Sequence, residues 1–215
     1  MVSKRIKLIA SLLDKDDKVL DVGTDHALLP IYLVKNKLVT KVDASDISSV
    51  VLSNAKKNVT KFKYENNINL YLSDGLKSID IKKYNTLVIA GMGFHTIEGI
   101  LKSNSLETIN KLIVQTNNNY EDFRKFISTI NFHIKKEVTI IDKKIAYIIF
   151  VLKQGRKDIS DEELVCGIYS KDNREYYKIE LKKLKSILEK LPKSNEIEIN
   201  KISKQIDVYE SYLTR

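Results

Sequence analysis

The feature that most constrains the fold is an alternation of two patterns along the chain. Short apolar and β-branched runs, typical of buried strands, take turns with longer stretches whose apolar residues recur at helical spacing. The predicted strands lie at 19–23, 38–45, 68–74, 86–92 and 111–117. The predicted helices lie at 4–13, 26–36, 48–62, 94–103 and 119–130. Alternation of this kind predicts an α/β fold, with a mostly parallel sheet and helices on both faces.

Two further strand-like segments, at 132–142 and 143–153, follow each other with no helix between them. They predict an antiparallel β-hairpin that completes the sheet. Such an ending is uncommon among dinucleotide-binding folds and is usual in Rossmann-like class I methyltransferases. The order of the segments therefore favours the methyltransferase variant of the fold.

The last part of the chain has a different pattern. Ser160 and Glu163 fit a capping box. Two apolar stripes with steps of three and four residues follow, at 177–191 and 199–213, and Pro192 stands between them. The stripes predict an antiparallel helical hairpin that forms a short coiled coil. We therefore expect a methyltransferase domain at 1–154 and an appended helical hairpin at 155–215.

The charge of the chain suggests a polyanionic partner. The formal net charge is +9, and residues 1–153 carry 24 basic and 16 acidic side chains. A basic domain favours nucleic acid as the partner. A compositional origin stays open, because only five of the 37 basic residues are Arg.

Other features exclude several classes of protein. The single Cys166 cannot form an internal disulfide or a Cys-rich zinc site, and we expect no metal site. No apolar run reaches the roughly 18 residues that span a bilayer. The amino-terminal segment is a poor signal peptide, so we expect a cytoplasmic protein.

Acidic residues mark the ends of the first three predicted strands. The first strand ends in a loop with one glycine, Gly23, flanked by Asp21 and Asp25. Two acids disfavour a pyrophosphate ligand at this turn and suit a positively charged one, such as S-adenosylmethionine (SAM). Asp46, 23 residues beyond the glycine, is the candidate for the ribose hydroxyls, with Asp43 as the alternative. Asp74 is the candidate for the adenine amino group.

The fourth strand ends in a Gly-Met-Gly turn at residues 91–93. The Asn/Asp-Pro-Pro-aromatic motif of many amino-methylating enzymes is absent here, which disfavours methylation of an exocyclic amine. Hydrolytic chemistry lacks support, because His26, His95 and His133 have no Ser or Cys partner in a recognised motif. We expect His26 to line the site.

Several of these strings together resemble one family. DVGTDHALLP (21–30), SDGL (73–76), AGMG (90–93), VQTN (114–117) and SKR (3–5) are similar to segments of the bacterial tRNA adenine-22 N1-methyltransferases, the TrmK family. The likeness covers nearly the whole chain. It implies SAM as the methyl donor and N1 of a tRNA adenine as the acceptor.

The resemblance also implies roles for individual residues. The cofactor site would comprise Asp21, Gly23, Thr24, Asp25, Asp46, Asp74, Gly75, Ala90 and Gly91. The groups at the point of methyl transfer would be Asp25, His26, Met92 and Gly93. The substrate would meet Ser3, Lys4, Arg5, Gln115 and Asn117. Phe94 and Thr116 depart from the family pattern of Gly and Pro, and we expect Phe94 to narrow the pocket or stack within it.

The helical hairpin offers a second candidate contact with RNA. Its basic run comprises Lys178, Lys182, Lys183 and Lys185. A solvated helix face is the alternative. We expect a monomer without an obligate protein partner. The competing functions are methylation of another acceptor, a SAM-fold RNA-binding protein without activity, and, third, an NAD oxidoreductase.

Overall fold

The computed structural model describes residues 2–215 and contains a seven-stranded sheet. The strands are β1 (Val19–Val22), β2 (Val42–Asp46), β3 (Ile68–Leu72), β4 (Thr86–Met92), β5 (Lys111–Thr116), β6 (Phe132–Asp142) and β7 (Ile145–Gln154). Their order is β3-β2-β1-β4-β5-β7-β6. The first five strands are parallel, and β7 is antiparallel to both β5 and β6. The predicted α/β fold with a terminal β-hairpin is confirmed.

Within residues 2–215, eight α-helices surround and extend the sheet. They are α1 (Lys4–Ser11), α2 (Leu28–Lys35), α3 (Ser49–Lys61), α4 (Phe94–Lys102), α5 (Tyr120–Thr129), α6 (Asp161–Cys166), α7 (Arg174–Leu188) and α8 (Glu196–Thr214). Ser48 caps α3, and Ser160 forms a reciprocal capping box with Glu163 at the start of α6. The local signals for helix starts at these two sites are therefore confirmed.

Several predicted boundaries are wrong by two residues or more: α1 ends at Ser11 rather than at residue 13, β3 ends at Leu72 rather than at 74, and β7 begins at Ile145 rather than at 143. Two further errors, in α2 and β2, arise from residues with positive φ. Helix α2 begins two residues later than expected, because Ala27 adopts a left-handed conformation with φ 56°. Strand β2 begins at Val42 rather than at residue 38. Lys37, with φ 55°, ends α2, and the Leu38 amide donates a hydrogen bond back to the Leu33 carbonyl. Residues 38–41 therefore form a link, not part of the strand.

The hydrophobic core has two layers, one on each face of the sheet. Helices α1, α2 and α3 bury residues such as Ile9, Leu33 and Val59 against one face. Helices α4 and α5 cover the other face together with α6, α7 and α8. Successive strand residues point to opposite faces, so Leu112 belongs to one layer and Ile113 to the other.

The helical hairpin of α7 and α8 shares its core with the sheet. Buried tyrosines of the hairpin belong to the same cluster as Phe123 of α5 and Phe150 of β7. A buried ion pair reinforces the joint: Arg124 donates two hydrogen bonds of 2.8 Å to Glu137 and one of 3.0 Å to the Leu164 carbonyl in α6. The separation into domains at residue 154 stays a prediction, and the two parts are firmly packed together.

No helix within residues 2–215 combines the length and apolar character that crossing a membrane requires.

Candidate active site

A cavity of about 440 Å³ opens at the carboxyl edge of the parallel strands. It lies beside β1 and β4, the point where the chain switches from building one side of the sheet to building the other. Residues from the ends of four strands line it: Gly23, Asp46, Asp74, Gly75 and Met92. Open α/β sheets bind ligands at such switch points. Four of the predicted cofactor residues, Gly23, Asp46, Asp74 and Gly75, are thus brought together in one cavity. The other five, Asp21, Thr24, Asp25, Ala90 and Gly91, are not among the residues that line it.

The turn after β1 requires glycine. Gly23 has φ +75°, and a Cβ built at this position would lie 2.1 Å from Cε of Met92. The amides of Gly23 and Thr24 both donate to the Ser45 carbonyl, at 2.8 and 3.0 Å. These bonds hold the ends of β1 and β2 together and leave the backbone of the turn accessible from the cavity.

Asp21 is a buried acid at the end of β1. Only 5% of its surface is exposed, and it accepts a hydrogen bond of 2.7 Å from Oγ1 of Thr24. Burial raises the pKa of Asp21 to about 6; the Thr24 hydrogen bond opposes this shift, and the negative charge of Asp46 adds to it. No basic side chain among residues 2–215 forms an ion pair with Asp21. A buried carboxylate in this situation suits a positively charged ligand.

Asp46 and Asp25 meet across the turn. The amide of Asp25, a residue with φ 52°, donates to Oδ2 of Asp46 at 3.4 Å. The other Asp46 oxygen accepts from the Ser48 amide at 2.9 Å. Asp25 is largely exposed and lies 3.5 Å from Nε2 of His26. Asp25 and His26 therefore stand at the rim of the site, where an incoming substrate can reach them.

The alternative ribose candidate, Asp43, lies at the other end of β2. It accepts hydrogen bonds from the Tyr84 hydroxyl at 2.6 Å and from the Asn69 amide at 2.8 Å. It borders a separate cleft at the amino edge of the sheet. This placement favours Asp46 as the ribose ligand.

The third acid, Asp74, follows β3. It forms an ion pair with Lys77, and both residues line the cavity together with Gly75. The side chains of Asp74 and Lys77 are each more than half exposed. Asp74 is therefore free to exchange this surface contact for one with a ligand.

The ends of β4 and β5 are joined by a polar network. Asn117 donates from its amide to the Met92 carbonyl at 2.9 Å and from its side chain to the Gly91 carbonyl at 2.8 Å. Gln115 donates to Oδ1 of Asn117 at 3.0 Å and accepts from Nη1 of Arg5 at 2.8 Å. The network brings three of the predicted substrate residues, Arg5, Gln115 and Asn117, to the glycine turn of β4.

The remaining residues of this group lie close by. Ala90 pairs with Gln115 in the sheet, and Gly93 forms the N-cap of α4. Ser3 caps α1 by accepting from the Ile6 amide, and Lys4 is exposed beside it. The first turn of α1 is therefore next to the end of β4.

One predicted site residue is misplaced. Phe94 does not narrow the cavity or stack in it, because its ring is buried in the core. It makes edge contacts with Phe123 and Phe126, with ring centres 6.5 and 6.1 Å away. An apolar ring at the first position of α4 gains more from this packing than from exposure at the cavity. Thr116 is also buried and donates to the Asn118 carbonyl at 2.9 Å.

The lysines of α7 are exposed, and three of the four are paired. Lys178 pairs with Glu175, Lys183 with Glu180, and Lys185 with Glu210 of α8. Lys182 has no ion-pair partner within residues 2–215. Lys178, Lys182 and Lys185 border one shallow groove along α7. These three lysines therefore lie on one face of α7.

The sequence prediction missed part of the cavity wall. His95, Thr96 and Ile100 of α4 line it, as does Ile47 after β2. A signal was available, since a helix that starts directly after a strand-end glycine turn must present its first turn to the same edge. In the part of the chain that the structure describes, no group of His, Cys, Asp and Glu side chains could hold a metal ion.

A sheet of this strand order with acids around a carboxyl-edge cavity defines a Rossmann-like methyltransferase. Residues 2–150 match the family described as Methyltransferase domain. A Mycoplasma genitalium protein assigned as a tRNA methyltransferase is 33% identical over 77% of this chain and 77% of its own length. The tRNA (adenine(22)-N(1))-methyltransferase of Bacillus subtilis is 28% identical over 73% of this chain and 67% of its own.

Similar solved structures come from the same kind of protein as these relatives. Streptococcus pneumoniae Sp1610, assigned as a tRNA (m1A22) methyltransferase, superposes with a TM-score of 0.89, 28% identity, and coverage of 99% of this chain and 100% of that one. M. capricolum TrmK in complex with S-adenosyl-homocysteine superposes with a TM-score of 0.81 and 29% identity. The match covers 100% of this chain and 98% of that one. The chain belongs to the TrmK family of tRNA (m1A22) methyltransferases.

Proposed function

We propose that this protein transfers a methyl group from SAM to N1 of adenine 22 in tRNA. The observation that carries the proposal is the buried Asp21, a carboxylate without a basic partner among residues 2–215, which directly precedes the cavity-lining residues Val22 and Gly23. Family membership supports the nature of the substrate. A tRNA substrate also predicts a cytoplasmic location.

The residues around the cavity suit SAM. The carboxylate of Asp21, hydrogen-bonded to Thr24, would attract the positively charged ammonium of SAM. Asp46 would receive the ribose hydroxyls, and Asp74 with Gly75 would receive the adenine. When bound, SAM supplies an electrophilic methyl group. Met92 and the glycines on either side of it would bring the backbone of β4 close to the reacting atoms.

The acceptor needs little help from acid–base chemistry. Neutral adenine N1 carries an in-plane lone pair and no proton, so it attacks without a general base. Catalysis would therefore depend on positioning and on electrostatics. The methylated base is positively charged, and the exposed Asp25 at the rim would stabilise this charge. His26, 3.5 Å from Asp25, would keep its carboxylate in place.

The target base must be exposed before it can react, because the N1 edge is shielded in folded tRNA. Arg5, Gln115 and Asn117 would contact the substrate beside the β4 turn. Lys178, Lys182, Lys183 and Lys185 would form a second set of contacts with the tRNA phosphates. Their surface ion pairs are no obstacle, since pairs of this kind contribute little free energy and exchange readily. We expect the enzyme to act as a monomer.

The test is methyl transfer from labelled SAM to unmodified tRNA, followed by mass spectrometry of the nucleosides. N1-methyladenosine should form, and it should disappear when adenine 22 is replaced by guanine. Measurable SAM binding without transfer to any tRNA would contradict the proposal and would favour another acceptor. Binding of tRNA without any methyl transfer would favour the alternative of an RNA-binding protein that has no methyltransferase activity.

A further inference from the structure

The turn between β6 and β7 has an unusual sequence for its geometry. Asp142 and Ile145 form the last pair of the ladder, so Lys143 and Lys144 are the two turn residues. Both have positive φ, 50° and 68°. Two-residue hairpin turns of this type favour Asn-Gly, because side chains with a Cβ are strained in the left-handed region. The chain has two consecutive lysines where the backbone conformation favours Asn-Gly.

This turn lies at the same edge of the sheet as the cavity. Strand β6 runs in the direction of β5, because both are antiparallel to β7, and it ends at the carboxyl edge. Oδ2 of Asp142 accepts from the Lys4 amide at 2.9 Å and from the Arg5 amide at 3.5 Å. The turn is thus fixed to the first turn of α1.

Arg5 continues the connection to the β4 turn. Its guanidinium donates to Gln115 and lies 5.0 Å from the ring centre of Tyr147. A Cβ built on Gly91 would lie 3.7 Å from Nη1 of Arg5. A row of basic residues therefore leads from the exposed β6–β7 turn to the end of β4. We call these residues the basic corner: Lys4, Arg5, Lys143 and Lys144.

The basic side chains of the corner form no ion pairs among residues 2–215, and the acid beside them, Asp142, is hydrogen-bonded to the backbone amides of Lys4 and Arg5. Lys4, Lys143 and Lys144 are exposed and form no ion pair within residues 2–215. The hydrogen-bond partner of the Arg5 guanidinium is the neutral amide of Gln115. The lysines of α7 differ, since three of those four face a glutamate.

We propose that the basic corner binds the phosphates of the tRNA strand that carries the target adenine. This inference rests on the proposed function and adds the surface that holds the substrate next to the cavity. A protein that flips a base out of its stack must fix the sugar-phosphate backbone on either side of that base. Contacts with the phosphates fix it. The flexible lysines suit exposed phosphates, whereas the immobilised Arg5 suits the phosphate nearest the cavity.

The variant Lys143→Asn/Lys144→Gly separates this role from a structural one. It removes two charges and introduces the sequence that the turn geometry favours, so the melting temperature should stay the same or rise. SAM affinity should not change. The KM for tRNA should rise several-fold, and the slope of log affinity against log salt should become shallower by about 1.5, as expected for two lost phosphate contacts.

A matched control lies at the opposite edge of the sheet. Lys37 and Lys63 are exposed, have φ of 55° and 60°, and follow the ends of α2 and α3. Lys37→Asn/Lys63→Gly removes the same net charge and the same type of strain. We expect this variant to keep the wild-type KM and nearly the wild-type salt slope.

Two outcomes would overturn the proposal. Wild-type tRNA affinity and KM in the Lys143→Asn/Lys144→Gly variant would show that the corner does not touch the substrate. Equal losses in both double variants would show a general charge effect. Either outcome leaves the proposed function intact if the wild-type enzyme methylates adenine 22. Failure of the wild-type enzyme to do so would instead contradict the proposed function.

Discussion

At the carboxyl edge of the sheet, Asp21 is buried without a basic partner, whereas on the α7–α8 hairpin the lysines mostly face glutamates. The edge also contains non-glycine residues with positive φ, Asp25 and Ala27. The hairpin keeps regular helical geometry around packed tyrosine rings. Natural proteins depart from local rules where a ligand must complete the structure. The contrast therefore separates the region where we propose that the reaction takes place from a region whose charges are mostly paired.

The largest expected effect lies at the buried ion pair between α5 and β6, which also binds the backbone of α6. Arg124→Met leaves Glu137 buried and without its partner, so it should lower the free energy of unfolding by about 3–5 kcal/mol. Urea denaturation measures this loss. The double variant Arg124→Met/Glu137→Met removes both charges and should recover much of it. A loss below about 1 kcal/mol in the single variant would show that the ion pair does not hold the hairpin in place.

The next effect concerns Asp21 and has a defined pH dependence. Its pKa of about 6 in the folded protein lies above the ordinary 3.8, so ionisation opposes folding. The unfavourable contribution is absent well below pH 3.8, grows between pH 3.8 and 6, and is complete above pH 6. Asp21→Asn should therefore raise the free energy of unfolding by up to about 3 kcal/mol at pH 8 and by about half as much at pH 5.

The control for that measurement comes from the hairpin. Asp207 is exposed on α8, and Asp207→Asn should change the stability by the same small amount at both pH values. An Asp21→Asn variant with no greater stability than the wild type at pH 8 would contradict the claim that the edge is strained by a buried charge.

A third effect tests the close approach of β1 and β4. Gly23→Ala places a Cβ against Met92 and a side chain at φ +75°, a conformation that costs about 1–3 kcal/mol. SAM affinity, measured by titration calorimetry, should fall about tenfold or more. Gly155→Ala is the matched control, because Gly155 has φ +107° beyond the end of β7. It should lower stability and leave SAM affinity unchanged; equal affinity losses in both would indicate a global effect.

The smallest effect belongs to the hairpin surface. Lys185→Gln breaks the pair with Glu210 that crosses from α7 to α8, and both side chains are about half exposed. The free energy of unfolding should fall by less than about 1 kcal/mol, and the difference should vanish in high salt. A larger loss that persists in high salt would show that this pair, and not the tyrosine core, holds the helices together.

Much of the fold was predictable because its signals are local. Periodic apolar residues, the Ser48 cap and the Ser160 capping box each act within a few residues, and the structure confirms them. The sequence also favoured Asp46 over Asp43, but only the strand register shows why. Asp46 is the last residue of β2, whereas Asp43 pairs with Leu20 near the start of β1.

Other parts depend on contacts between distant residues and were beyond local reasoning. The position of Phe94 is decided by the rings of α5, which lie about 30 residues further along the chain. The link from Asp142 to α1 joins residues 138 positions apart. The pairing of Lys178 with Glu175 could have been foreseen from helical spacing, but that of Lys185 with Glu210 needed the packing of two helices.

The most direct test of the central claim is a map of the SAM-binding site by amide chemical shifts in NMR spectra of the labelled protein. We expect SAM to shift the amides of Gly23, Asp46, Gly75 and Met92 at the carboxyl edge and to leave those of α7 and α8 unchanged. Shifts centred on Asp43 and Tyr84 at the amino-edge cleft, with the carboxyl edge unaffected, would contradict this expectation.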